Sequence, residues 1–255
     1  MNENIKLLIK KFQEIEGEVW IRSISKSFGG IGLTFENELG KKADSLYFPD
    51  YFGIELKCTS NKSKYPLYLF TLAFDGPTFP EINRIIKKYG YSDKDYPEYK
   101  VLATNLSYKY KTTIKSGVKF KLHINTGEEK LYLNIYDSNN NIVESESFVY
   151  LDSIKQHMLL KLNLLALVYA ENKKDENSKY FHYYKMAIYE LKPFEKFIEL
   201  LKEDIVKVSL IARIEKSGNE IGLYRNKNLV FQINKEYINK LFKQIDLQEF
   251  RQYKK

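Results

Sequence analysis

Apolar residues recur along this chain with two different periods, and the changes from one period to the other mark its elements. Ile5, Leu8, Ile9, Phe12 and Ile15 are spaced for one face of a helix, and Gly17 follows as its stop. Residues 20–24 predict a short strand or connector, and Ser27-Phe28-Gly29-Gly30 is a glycine-rich break. A second helix is expected over 31–39, ended by Gly40, with a polar loop over 41–47. From Ile54 to Cys58 the period falls to two, the mark of a strand. Glu55 and Lys57 then share one face, while Ile54, Leu56 and Cys58 share the other. Beyond a polar turn at 59–64, residues 66–74 read as another strand and 80–89 as a short helix ended by Gly90.

The stretch 98–150 reads as a β-meander with strands at 101–106, 119–125, 131–136 and 142–149. Turn signals fall at Thr126-Gly127 and Asn139-Asn140-Asn141. A helix is expected at 151–161, then strands at 164–170 and 180–189 with the charged segment 171–179 as a loop between them. Pro193 suits the first turn of a helix over 193–202. Strands follow at 205–214, 221–224 and 229–233, and Asn234 caps a final amphipathic helix carrying Ile238, Leu241, Phe242 and Ile245. Strands and helices mix throughout without internal repeats, which argues for an α/β, mixed α+β class.

Composition narrows the chemistry. The chain has 255 residues, 44% of them hydrophobic, enough for one large domain or a core with a second lobe. Its net charge of +8 favours a polyanionic partner, most simply nucleic acid. A lysine-, isoleucine- and asparagine-rich composition also follows from an AT-rich genome, so charge alone does not decide. The single cysteine, Cys58, excludes an intramolecular disulfide and a cysteine-rich zinc site. His123, His157 and His182 are too widely spaced for a helical metal pair. The absence of a long apolar run or a signal-peptide pattern predicts a soluble, cytoplasmic protein with no membrane partner.

The candidate chemistry lies in Pro49-Asp50-Tyr51-Phe52-Gly53-Ile54-Glu55-Leu56-Lys57. Carboxylate oxygens are the ligands Mg²⁺ prefers, and a nearby lysine can hold a nucleophile or steady developing negative charge. Spacing alone is weak evidence. Asp95 with Glu98 and Lys100 repeats the pattern, and Glu128/Lys130 and Glu171/Lys173 supply further Glu-x-Lys pairs. Context separates the first match. Its Glu and Lys lie in an apolar segment where unpaired charge is costly, and Gly53 permits a sharp turn that returns Asp50 beside Glu55. Glu36 sits on the helix upstream. Cys58 points away from the Glu55/Lys57 face and reads as a core residue.

The run Gly30-Ile31-Gly32-Leu33-Thr34-Phe35-Glu36, with Leu39-Gly40 and the Pro49–Lys57 block, resembles the MutH-like branch of the PD-(D/E)XK nucleases. Within that branch it is similar to the MvaI/BcnI restriction endonucleases. Looser similarity at Leu69-Phe70-Thr71, 164–171, 180–184 and 207–214 makes the resemblance roughly chain-long. It implies a restriction-endonuclease-like core, a central mixed sheet flanked by helices, with a β-rich DNA-recognition lobe. The whole of 1–255 would be one endonuclease unit, its catalytic lobe mainly 1–75 and 160–190 and its recognition lobe mainly 95–150 and 200–255. By position, Asp50 and Glu55 would ligate Mg²⁺ with the Leu56 carbonyl, Lys57 would position the attacking water, and Glu36 would support the site. The implied activity is type II, sequence-specific hydrolysis of double-stranded DNA by a monomer acting on each strand in turn, paired functionally with a cognate DNA methyltransferase.

Reading a DNA sequence needs groups that reach base edges. The strand–turn–strand segment 213–232 is rich in them, and Arg213, Arg225, Lys227, Asn228 and Gln232 are the candidates; a solvated hairpin explains the segment equally well. Where the family has Arg-Asp-His-Gly followed by Phe-Arg, this chain has Arg225-Asn226-Lys227-Asn228 and Phe231-Gln232, which implies a different recognition sequence. Two other readings stay open on the residues: a MutH-like nicking enzyme of mismatch repair, and a DNA-binding protein without catalysis.

Overall fold

The computed structural model describes residues 3–25, 29–41 and 48–247, with 225–227 described by backbone alone. In chain order the elements are α1 (Glu3–Glu16), β1 (Ile21–Arg22), α2 (Gly30–Glu38), β2 (Glu55–Ser60), β3 (Leu67–Leu72), α3 (Glu81–Tyr89), β4 (Tyr91–Ser92) and β5 (Lys100–Leu106). Next come β6 (Thr112–Thr113), β7 (Lys119–Asn125), β8 (Lys130–Tyr136), β9 (Ile142–Glu144), β10 (Phe148–Tyr150), α4 (Leu151–Leu162), β11 (Leu164–Lys174) and β12 (Lys179–Leu191). The chain finishes with α5 (Phe194–Lys202), β13 (Val206–Ile214), β14 (Tyr224–Ile233), α6 (Ile238–Leu241) and β15 (Phe242–Gln244). The expected break at Ser27-Phe28 and the loop over 42–47 lie outside the described residues. Among those described, no helix is long and apolar enough to cross a membrane.

The fold is mixed α+β and divides into two compact units. The first takes Met1–Tyr65, Met158–Lys192 and Ile238–Lys255; the second takes Pro66–His157 and Pro193–Tyr237. The first is built on a mixed sheet of order β1-β12-β11-β2, with β15 also on β12. Only the β2–β11 pairing is parallel. The apolar stripe of α1, with Ile5, Leu8, Phe12 and Ile15, joins Phe35 of α2 against one sheet face carrying Ile54, Leu56, Ala166, Val168, Phe181 and Tyr183. Each such large side chain contributes roughly 1.5–3 kcal/mol on burial. The Tyr183 hydroxyl donates to the Ile31 carbonyl at 2.7 Å and its ring lies 5.1 Å from that of Phe35, which fixes α2 on the sheet.

The second unit holds two antiparallel sheets, β10-β8-β7-β6 with β9 on β8, and β3-β14-β13-β5-β4. Here three expectations change. The strand at 101–106 is not part of the meander: β5 pairs with β13, Val208 opposite Leu106 and Ala212 opposite Leu102. Alternation marks a strand but carries no information about a partner a hundred residues away. A single strand, β14, runs from Tyr224 to Ile233, so of the strand expected at 221–224 only Tyr224 is strand, and the one expected at 229–233 is its second half. The segment 142–149 splits into β9 and β10, both on β8.

Two corrections fall in the first unit. The charged segment 171–179 is largely strand, because Glu171 to Lys174 continue the β11–β12 ladder opposite Lys179 to His182. The turn that closes it is held by Asp175 Oδ1, which accepts from the N–H groups of Asn177 and Ser178 at 2.9 and 2.6 Å. The final amphipathic helix is a single turn, α6, and Phe242 begins a strand. Leu191, Glu190 and Tyr189 of β12 pair with Phe242, Lys243 and Gln244, so ladder formation overrides the helical spacing of the apolar residues.

An ion network locks the second unit. The buried carboxylates of Glu81 and Glu144 share the Arg84 guanidinium, whose Nε donates to Glu81 Oε1 at 2.9 Å and whose Nη2 also reaches Glu144. Lys88 and the Tyr89 hydroxyl each reach Glu144 Oε2 at 2.7 Å, and the Ser147 hydroxyl donates to Glu81 Oε1 at 2.6 Å. Burial pushes the Glu144 carboxyl upward, but Arg84, Lys88 and Tyr89 more than offset this and bring it down to about 2. Arg84→Ala takes the shared guanidinium from two buried carboxylates and leaves them only their hydroxyl and Lys88 partners, so it should cost about 3 kcal/mol in urea unfolding. A depressed carboxyl adds stability above its unfolded pKa and loses it as pH falls through the folded value. Unfolding midpoints should therefore drop between pH 4.5 and about 2. That acid-sensitive component should shrink in Arg84→Ala.

Candidate active site

The site is assembled by a two-residue turn. The N–H of Tyr51 donates to the Ile54 carbonyl and that of Ile54 to the Tyr51 carbonyl, both at 2.9 Å. The intervening Phe52 and Gly53 have φ of 44° and 85°, the pair of positive values that a type I′ turn requires. Asn4 Nδ2 donates to the Phe52 carbonyl at 2.8 Å and ties the turn to α1. The reversal brings Asp50 back against β2, where its Oδ2 accepts the Leu56 N–H at 3.0 Å.

That hydrogen bond is possible because β2 ends the β1-β12-β11-β2 path. One edge of β2 pairs with β11, and the Leu56 N–H leaves from the other. Within a strand the carbonyl and N–H of one residue point to the same side, so the Leu56 carbonyl also faces the Asp50 edge. Glu55 and Lys57 lie level with Leu165 and Leu167 of β11, on the sheet face opposite the α1/α2 core. Glu55 is buried, 1% exposed. Its Oε1 accepts from Lys57 Nζ, and its Oε2 is buried without a hydrogen bond.

Two residues that no sequence argument singled out complete the pocket. Lys41 Nζ donates to Asp50 Oδ1 at 2.9 Å. Lys161, in the last turn of α4, places its Nζ 3.7 Å from Glu55 Oε2. Lys41 does carry a local signal in hindsight. The N–H of Gly40 bonds to the Asn37 carbonyl and that of Lys41 to the Glu36 carbonyl, both at 2.9 Å, with Gly40 at φ 78°. This is a Schellman stop, and it fixes the lysine immediately after the helix. Lys161 has no such mark among the 41 lysines and arginines of the chain.

The two carboxylates are tuned in opposite directions. Burial raises Asp50, but Lys41 and the Leu56 N–H outweigh it and hold the group below the usual carboxylate range. For Glu55 burial dominates; Lys57 and Lys161 offset only part of it, Asp50 adds to it, and the carboxyl lies above its ordinary value. Burial also raises the Cys58 thiol, which packs against the core and stays protonated.

Glu36 lies on α2, half-buried, and its charge also acts on Cys58. It does not join Asp50 and Glu55 in a three-ligand cluster: among the described residues no group of three or more His, Cys, Asp or Glu could hold a metal. The DNA-reading candidates are spread along one hairpin. Arg213 is exposed on β13 with its Cα opposite that of Arg225 on β14, and Lys227 and Asn228 follow. Gln232 is buried, roughly 23 Å from Arg225 along the strand at about 3.3 Å per residue, and pairs with Lys207 and Tyr68.

The fold is mixed α+β, with buried Glu55, half-buried Asp50 and Lys57 at the last strand of a mixed sheet, and its relatives make the chain a type II, sequence-specific DNA endonuclease. The structure is similar to that of the restriction endonuclease MvaI in complex with cognate DNA substrate, at 25% identity and a TM-score of 0.88 over 96% of this chain and 98% of that one. It is also similar in fold to MvaI in the absence of DNA, at 22% identity and a TM-score of 0.60 over the same 96% and 98%. A comparison with curated protein sequences returns no match. The chain belongs to the MvaI/BcnI restriction endonuclease family, whose model matches residues 9–242.

The turn is open to test. A non-glycine residue at positive φ costs roughly 1–2 kcal/mol, and Phe52 is 65% exposed, so it gives up little packing on replacement. Phe52→Asn should raise stability by up to about 1 kcal/mol, and Gly53→Val should lower it by about 1–2 kcal/mol, both read from urea unfolding midpoints.

Proposed function

We propose that this endonuclease hydrolyses double-stranded DNA in a Mg²⁺-dependent reaction centred on Asp50, Glu55 and Lys57. The observation that carries the reading is the convergence of the two carboxylates. Asp50 is pinned to the Leu56 N–H, beside Glu55, whose buried Oε2 has no hydrogen bond. Restriction-endonuclease families generally use divalent cations. The donors suit a hard one: two carboxylates, with the Leu56 carbonyl leaving the strand on the same edge as the N–H that Asp50 holds. A bound divalent cation supplies positive charge against the scissile phosphate and acidifies water beside it.

The chain's own groups do the rest. Asp50 and Glu55 hold the cation with the Leu56 carbonyl. Lys57, anchored on Glu55 Oε1, orients the attacking water and offsets charge that develops on the phosphate. Glu36 supports the site from α2. The similarity to MvaI in complex with its cognate DNA substrate supports DNA as the partner. Among the base-reading candidates, the end of the β13–β14 hairpin that carries Arg213, Arg225, Lys227 and Asn228 suits a groove better than the buried Gln232. The reading extends to a monomer that takes the two strands in turn, located in the cytoplasm with a cognate methyltransferase that protects host DNA.

Incubation of the enzyme with unmethylated plasmid and Mg²⁺ should give linear fragments with a common end sequence. Asp50→Ala and Lys57→Ala should each abolish cutting, a loss of at least about 10²–10³-fold. The lysine variant should still shift a DNA fragment in a gel with Ca²⁺ present. Full cleavage by either variant would sink the assignment.

A further inference from the structure

Three ammonium groups serve two carboxylates in this pocket, and only Lys57 belongs to the motif strand. Lys41 Nζ is 2.9 Å from Asp50 Oδ1, with side chains 15% and 19% exposed. Lys161 Nζ is 3.7 Å from Glu55 Oε2, with side chains 22% and 1% exposed. We propose that Lys41 and Lys161 are the resident counter-cations of the carboxylate pair, and that a divalent cation binds there by exchange against them. The inference rests on the reading of Asp50 and Glu55 as metal ligands.

Buried carboxylates need partners, because an uncompensated charge out of water is strongly destabilising. Asp50 already has both oxygens engaged, one by Lys41 and the other by the Leu56 N–H. An oxygen that accepts from an ammonium at 2.9 Å meets an incoming cation with that ammonium in the way. Adding a divalent ion to three retained ammonium groups would set five positive charges against two negative ones. Replacing Lys41 and Lys161 by one divalent ion leaves the pocket's charge unchanged. The displaced ammonium groups then become available to the phosphates of a bound duplex, which couples metal binding to DNA binding.

Lys57 is kept outside the exchange because its anchor, Glu55 Oε1, is a different oxygen from the one that faces Lys161. Lys41 and Lys161 also come from separate elements. The first follows the Schellman stop of α2 and the second ends α4, so each can withdraw without moving β2.

The test is calorimetric titration of the full chain with Ca²⁺, without DNA. Lys41→Met and Lys161→Met remove charge at nearly constant length and should each tighten Ca²⁺ binding, on the order of tenfold for a unit charge about 5 Å from a divalent ion in water-like surroundings. Each should also lower the Tm of the metal-free protein, since a carboxylate largely out of water loses one of its cationic neighbours. Lys41→Arg keeps the charge and should bind Ca²⁺ as the parent does. Circular dichroism on every variant confirms that the affinities compare folded proteins. Unchanged or weakened Ca²⁺ binding in either methionine variant overturns the exchange. Asp50→Asn and Glu55→Gln separate the metal site from the exchange. If they abolish Ca²⁺ binding while the methionine variants leave it unchanged, the metal site stands and the exchange falls. If they leave Ca²⁺ binding intact, the metal-site reading itself fails.

Discussion

The hydrogen bond from the Leu56 N–H to Asp50 Oδ2 is the constraint on which the candidate site depends. It exists only because β2 is at the end of its ladder path and leaves one backbone edge for a side chain. In the middle of a sheet the same N–H would belong to a neighbouring strand. A two-residue reversal is the shortest link that returns Asp50 to that edge, and it demands positive φ at both central positions. Phe52 meets this demand with strain, and Gly53 meets it freely. The apolar partners of the same strand, Ile54 and Leu56, bury in the core and hold the polar face in register.

Buried carboxylates occur in both units, and their surroundings give them different uses. Glu81 and Glu144 share Arg84 and collect hydroxyl and ammonium donors, so both ionise more readily than usual and the network is closed. Glu55 is as buried, yet one oxygen has no hydrogen bond and its carboxyl is harder to ionise. A closed network holds structure together. An open one leaves an acceptor oxygen unsatisfied, and the Lys57 and Lys161 charges offset its burial only in part. The same two residue types, Glu and Lys or Arg, therefore form a closed staple in one place and an incompletely satisfied cluster in the other.

The alternative Asp/Glu/Lys runs show why spacing could not make this distinction. Lys216 pairs with Asp93 and with exposed Asp95 at 2.8 and 2.7 Å, and exposed Glu128 pairs with half-buried Lys130 at 3.2 Å beside a hairpin turn. These are solvated ion pairs of the ordinary kind. What marked out the Asp50–Lys57 block in the sequence was the apolar setting of Glu55 and the glycine at 53, both of which have direct local consequences in the fold. The two lysines that complete the pocket were illegible for opposite reasons. Lys41 was hidden in a segment that reads as polar loop although Leu39-Gly40 marks the stop that positions it. Lys161 reaches the site from an element more than a hundred residues away.

The sequence by itself determined the local elements whose cause is local. The α1 stripe, the glycine stop of α2, the period-two face of β2 and the turn at Gly53 all follow from steric and burial rules that act within a few residues. Only the tertiary structure decided pairing. It set β5 against β13 rather than in the meander, drew the charged ends of β11 and β12 into one ladder, and turned a helix-spaced C-terminal segment into β15 on β12. The physical reason is the same in each case. A strand's stability comes from hydrogen bonds to a neighbour that can lie anywhere in the chain, so its partner, and every charge that partner delivers, is settled only when the sheet forms.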